Sequence, residues 1–159
     1  MDSKCRLILW DVLASLRTCG TAEQQAEPLR VLLAEDNPLD QVTIRRLLEK
    51  LGMQVFLAGD GRRAVELYEG GEFDLVLLDI LMPEMDGFEV ASYIRHREKS
   101  SGACVPVIAL TAYSLKAVYD KCRSVGMNGY LSKPVAGSDL RLLFSLLVPD
   151  FDGPLESQE

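Results

Sequence analysis

Between Arg30 and Leu147 the chain repeats a two-part pattern five times, a short apolar run followed by a stretch with helical apolar spacing. The runs are Arg30–Ala34, Gln54–Ala58, Phe73–Asp79, Val105–Leu110 and Gly129–Ser132. Short, near-continuous apolar runs mark strands covered on both faces. The stretches between them carry one-sided stripes such as Ile44, Leu47, Leu48 and Leu51, or Leu140, Leu143, Phe144 and Leu147. Start signals stand where helices should begin: Asn37-Pro38, Asp60-Gly61, and Asp86 with Glu89 three residues on. Gly52, Gly70-Gly71 and Gly126 close them. Strands alternating with helices, joined by right-handed crossovers, make a parallel sheet with helices on both faces. The expected fold is α/β, a doubly wound five-stranded parallel sheet over residues 29–148.

In such a sheet every strand C-terminus opens on one rim, where open α/β sheets bind ligands. The runs end in Glu35-Asp36, Asp79, Thr111 and Lys133. Three carboxylates brought together repel and raise one another's pKa. A divalent cation removes that penalty, and hard oxygens with few other ligands suit Mg²⁺ (Mn²⁺ as a substitute), which keeps waters and takes a phosphate oxygen. The cation and Lys133 would then stabilise a phosphoryl group, and one Asp could act as nucleophile.

The flanks read differently. Leu9, Val12, Leu13 and Leu16 follow the spacing of one helix face, predicting a short amphipathic helix within residues 1–28, followed by a polar linker. Asp11 interrupts the apolar stretch and Asp2 sits in its lead-in, so a signal peptide is not expected. Residues 149–159 form an acidic, Gly/Pro-containing tail expected to be mobile. No apolar stretch reaches the roughly 20 residues of a spanning helix. A net charge of −7 argues against a general nucleic-acid binder, since no stretch offers the basic stripe that phosphate backbones need. The densest basic cluster, Arg95 to Lys99, reads as a solvated helix end, with His96 exposed on it. The four cysteines lack Cys-x-x-Cys spacing and nearby histidines, which argues against a metal site and for a reducing cytoplasm.

Glu35-Asp36, the run from Leu78-Asp79 to Asp86-Gly87, Ala109-Leu110-Thr111-Ala112 and Gly129-Tyr130-Leu131-Ser132-Lys133-Pro134 together resemble the signature set of response-regulator receiver domains, most of all those of hybrid histidine kinases. The resemblance covers about Leu29 to Val148. It implies the flavodoxin-like strand order 2-1-3-4-5. It also implies that Asp79 is the phosphoacceptor, taking its phosphate from a partner's phosphohistidine, in a signalling protein that is not a turnover enzyme. Asp36, Asp79 and the backbone carbonyl of Leu81 would hold Mg²⁺, with Glu35 acting mainly through water. Lys133 would pair with Asp79 and then with the phosphoryl oxygens. Thr111 would swing to the phosphoryl group and Tyr130 would turn inward behind it. A cis Lys133–Pro134 bond is implied too, and Asp86 is expected to cap a helix.

The same resemblance names the expected partners: a histidine kinase or a histidine phosphotransfer protein, docking at the acidic rim and first helix. Output would come from the face between Ser114 and Leu147, and a homodimer would use that face or the N-terminal helix. No DNA-binding output follows, so a stand-alone receiver, or one excised from a hybrid kinase, is expected. Leu81 and Tyr113 should flank the path of the hydrolytic water, and their bulk predicts a long-lived phosphoryl group. Three competing readings fit less well. A Mg²⁺ phosphohydrolase with an Asp nucleophile needs a second Asp where Leu81 stands. A degenerate receiver would lack some of the acids, Thr111 or Lys133. A nucleotide-binding domain would need a Gly-rich loop after the first strand.

Overall fold

The structure is a computed structural model, and it describes residues 7–9, 28–102, 104–112 and 116–148. The elements in chain order are β1 (Leu7–Leu9), β2 (Arg30–Ala34), α1 (Pro38–Lys50), β3 (Gln54–Ala58), α2 (Gly61–Glu69), β4 (Leu75–Asp79), α3 (Gly87–Ser101), β5 (Val107–Thr111), α4 (Lys116–Ser124), β6 (Gly129–Ser132) and α5 (Gly137–Leu147). They build one six-stranded sheet of order β1-β6-β5-β4-β2-β3. Strands β2 to β6 are parallel throughout. Counted from β2, their order is the expected 2-1-3-4-5.

Side-chain alternation along each strand divides the core in two. Val31, Leu33, Leu75, Leu77, Ile108, Leu110 and Leu131 pack with α1 and α5 on one face. Leu32, Ala34, Val76, Leu78, Val107, Ala109 and Tyr130 pack with α2, α3 and α4 on the other. Strands β4 and β5 are buried at every position, as their unbroken apolar runs require. The caps follow the local chemistry. Asn37 accepts from the Leu39 and Asp40 amides ahead of Pro38 at the start of α1. Asp60 accepts from Arg63. Asp86 accepts from the Glu89 amide at 2.9 Å, which makes it a cap as expected.

Three expectations are corrected. Leu9 lies not in a helix but in β1, which pairs antiparallel with β6. Val12 to Leu16, the linker, Tyr113, Ser114 and the tail from residue 149 lie outside the described residues. The fourth run becomes a strand only at Val107. The Val105 amide is taken by the Glu98 carboxylate at 2.6 Å and cannot serve the ladder. Nor is the cluster at Arg95 simply solvated. His96 is exposed, but the Arg95 guanidinium bonds Glu98, the Val105 and Gly126 carbonyls and Asn128 at 2.6–2.8 Å. That clamp ties α3 to the segments leading into β5 and β6, at the rim opposite the carboxylates. No helix among the described residues is long and apolar enough to cross a membrane.

Candidate functional site

Each predicted rim residue is delivered by the end of its own strand. β2 stops at Ala34, so Glu35 and Asp36 follow at the sheet's edge, and the Glu35 amide is still held by the Ala58 carbonyl of β3 at 3.0 Å. β4 ends on Asp79 itself. β5 ends on Thr111, whose carbonyl accepts from the Lys133 amide at 2.8 Å. That bond fixes the segment after β6 against β5, and the Lys133–Pro134 peptide is cis.

The result is a tight acidic cluster around one ammonium. One oxygen from each of Glu35, Asp36 and Asp79 lies within 4.8 Å of the others. Lys133 Nζ stands 2.6 Å from Glu35 Oε1, 3.3 Å from Asp40 Oδ2 and 3.4 Å from Asp79 Oδ2. Lys133 therefore does pair with Asp79, but Glu35 holds it more closely. Asp40 is a member that the sequence reading missed. Its signal was position, because the first turn of a helix that starts at Pro38 stays beside the rim. Gln41 joins it there, donating to the Glu35 carbonyl at 2.6 Å.

Burial sets the electrostatics. Glu35 is fully buried and Asp79 nearly so, whereas Asp36 is exposed. Burial, reinforced by a hydrogen bond with Asp79, pushes Glu35 up to about 8 against the pull of Lys133. Asp79 is raised as well, first by burial and then by neighbouring Asp36, with Glu35 and Lys133 acting against the rise. Burial alone would lower Lys133, but its bond to Glu35 and the charge of Asp79 hold it above the usual lysine range. One ammonium does not neutralise three clustered acids, which is why both buried carboxyls are raised. A hard divalent cation offsets that crowding of negative charge, so the donor set fits Mg²⁺.

The loop after Asp79 is shaped closely around it. The Leu81 amide donates to Asp79 Oδ1 at 3.3 Å, and Glu84 adopts a left-handed φ of 66°. The Leu81 side chain itself is 59% exposed. Thr111 and Tyr130 are both buried on the neighbouring strands. The Tyr130 ring meets Tyr119 of α4 edge-on, with centroids 6.4 Å apart.

Known proteins share this sequence pattern and fold. The sequence profile of the response regulator receiver domain matches residues 31–144. Hybrid signal transduction histidine kinase I of Dictyostelium discoideum is 36% identical over 116 residues, which are 70% of this chain but only 7% of that kinase. The receiver domain of the Saccharomyces cerevisiae response regulator Ssk1, solved with the histidine phosphotransfer signaling protein Ypd1, superposes with a TM-score of 0.72 at 31% identity, covering 79% of this chain and 96% of that one. The receiver domain of the sensor histidine kinase PA1611 from Pseudomonas aeruginosa, solved with a magnesium ion coordinated in its active-site cleft, is 38% identical at a TM-score of 0.69, covering 76% of this chain and 97% of that one. A profile match over most of the chain, on this fold and with this cluster at its rim, shows that the chain belongs to the response regulator receiver domains of two-component and phosphorelay signalling.

Proposed function

We propose that Asp79 is the phosphoacceptor of this receiver and that Lys133 is its electrostatic partner. The observation that carries the reading is the placement of Lys133 Nζ within 3.4 Å of both Glu35 and Asp79, the ends of three separate strands meeting at one ammonium. Asp79 Oδ attacks the phosphorus of a partner's phosphohistidine. The P–N bond breaks as the P–O bond forms, and the imidazole leaves and takes up a proton from solvent. Lys133 stabilises the charge on the passing phosphoryl oxygens. Asp36, Asp79 and the Leu81 carbonyl would hold Mg²⁺ or Mn²⁺, with Glu35 reaching it through water. When bound, the ion offsets charge on the phosphoryl oxygens.

The consequence of phosphorylation would travel along β5 and β6. Thr111 donates its hydroxyl to the phosphoryl group, and Tyr130 holds the buried position against Tyr119 that follows from this move. Exposed Leu39, Val42 and Leu81 lie on the first turns of α1 and on the β4–α3 loop, beside Asp79. They suit the apolar docking face of a histidine kinase or a histidine phosphotransfer protein, which this reading places in the cytoplasm. Phosphorylation then changes partner binding or homodimerisation through the α4–β6–α5 face, and the protein signals rather than turns over a substrate.

The test is incubation with a small phosphodonor and Mg²⁺, followed by intact-mass measurement of wild type and Asp79→Asn. Wild type should gain the mass of one phosphoryl group and Asp79→Asn none. An unchanged wild-type mass, with folding verified by circular dichroism, would sink the proposal.

A further inference from the structure

Five parallel strands alone would leave β6 as an open edge with its outward N–H and C=O groups unpaired. Here the edge is closed by the chain's own N-terminus. Leu7 pairs with Leu131, Ile8 with Tyr130 and Leu9 with Gly129. The opposite edge, β3, pairs only with β2 among the described residues. The closure is therefore specific to one side of the sheet.

The ladder's hydrogen bonding can be assigned from the backbone. The Asn128 amide donates to the Val107 carbonyl of β5 at 2.7 Å. In β5 the Leu110 carbonyl accepts from the Ile80 amide beyond β4, so Val107, Ala109 and Thr111 turn toward β6, and the Lys133 amide donates to the Thr111 carbonyl at 2.8 Å. With Ala109 opposite Tyr130, alternation along β6 turns the Leu131 amide toward β5 and the Tyr130 amide toward β1. Tyr130 faces Ile8, so this is the hydrogen-bonded pair, and Leu7 opposite Leu131 and Leu9 opposite Gly129 are the pairs without bonds. Recognition runs through backbone groups, and the segment seated there reads Leu-Ile-Leu. The described strand is three residues long, at the short end of the usual range, so few ladder bonds hold it in place.

We propose that the β6 edge is a strand-addition site for an extended apolar peptide segment, and that Leu7–Leu9 fills it in cis as a displaceable internal occupant. A partner that reads this side of the sheet would supply a strand of its own and expel β1. The strand it would bind carries Tyr130 and leads directly into Lys133. The proposal does not depend on phosphoryl chemistry, and its test uses no phosphodonor.

Three full-length proteins are compared: wild type, Leu7→Pro/Leu9→Pro, and Ile8→Pro. Ile8→Pro loses the N–H donor that faces β6, whereas the double variant loses two that face away. By amide hydrogen exchange, Tyr130 should lose protection in Ile8→Pro only. The Leu131 amide, which faces β5, should stay protected in all three and so reports an intact fold. A fluorescent peptide with the sequence of Lys4 to Val12, serine replacing Cys5, is then titrated into each. It should bind Ile8→Pro about tenfold or more tighter than wild type, because the tethered strand competes at a roughly millimolar effective concentration. It should also restore protection at Tyr130. Unchanged exchange at Tyr130 in Ile8→Pro would overturn the cis pairing. Failure of the peptide to bind Ile8→Pro, equal binding to wild type, or equal binding of a scrambled peptide would overturn the strand-addition site.

Discussion

At Gly87 an added β-carbon would lie 2.4 Å from the Asp79 carbonyl oxygen and 3.0 Å from the Ile80 Cα. Both obstacles are backbone, so no rotamer change relieves them. The Gly87 amide also donates to the Ile80 carbonyl at 3.0 Å, which pins α3 against the end of β4. Gly87→Ala should therefore cost about 1–3 kcal/mol of stability as an overpacked site. Because the yielding atoms belong to Asp79 and Ile80, it should also slow phosphoryl uptake, as measured by urea unfolding and by phosphodonor time courses. Leu81 poses the opposite case, a side chain with room to spare. Exposed beside Asp79, it offers no polar atom to orient an attacking water. Leu81→Asn should shorten the phosphoryl lifetime several-fold, followed as decay of the phosphorylated mass after the donor is removed. An unchanged, seconds-scale decay in both proteins would refute a gating role. The site's principal members were legible because each ends or directly follows an apolar run. The partners that Lys133 favours were not. Glu35 precedes it by ninety-eight residues and Asp40 by ninety-three, and only the folded rim ranks Glu35 above Asp79.

At the scale of elements, the five strand–helix units were readable from periodicity and caps because local preference and tertiary burial agree in them. Two of the misreadings fall where they disagree. Leu7–Leu9 is too short for a period of two to be told from one of 3.6, and a partner strand more than a hundred residues away decides its conformation. Arg95 and Glu98 look like a solvated helix end by charge. By position, however, Glu98 extends the buried stripe of Ala91 and Ile94. Gly126 shows how closely that clamp fits: its φ is +91°, and a β-carbon there would lie 2.8 Å from Arg95 Cγ. Arg95→Ala would leave the Glu98 carboxylate buried without its cation, at a cost of about 3 kcal/mol, the low end for a broken buried pair because Arg95 keeps some exposure. Arg95→Ala/Glu98→Gln should recover part of that loss by removing the unpaired charge. Urea midpoints with unchanged m-values would report both effects. Additive losses in the double variant would show that the two side chains act independently.

For the whole molecule, the acidic rim is a site where stability and function oppose each other. Burying Glu35 and Asp79 together against one lysine disfavours the folded state, as their raised pKa values indicate. Two consequences follow for Mg²⁺-free and Mg²⁺-loaded protein. Without the ion, Asp79→Asn removes one of the repelling acids and should unfold at a higher temperature than wild type, although it cannot accept a phosphoryl group. With the ion, wild type should gain what the mutant cannot. At a hundred times its dissociation constant a ligand adds about 2.7 kcal/mol. For a chain of this length that raises the melting temperature by about 5–10 °C. Asp36→Asn and Asp79→Asn should each lose most of that shift, and EDTA should reverse it in wild type. Scanning calorimetry of the three proteins with and without Mg²⁺ would therefore show the order of stability inverting as the ion is added. A Mg²⁺ response equal in all three would mean that the ion stabilises the fold somewhere other than at these carboxylates.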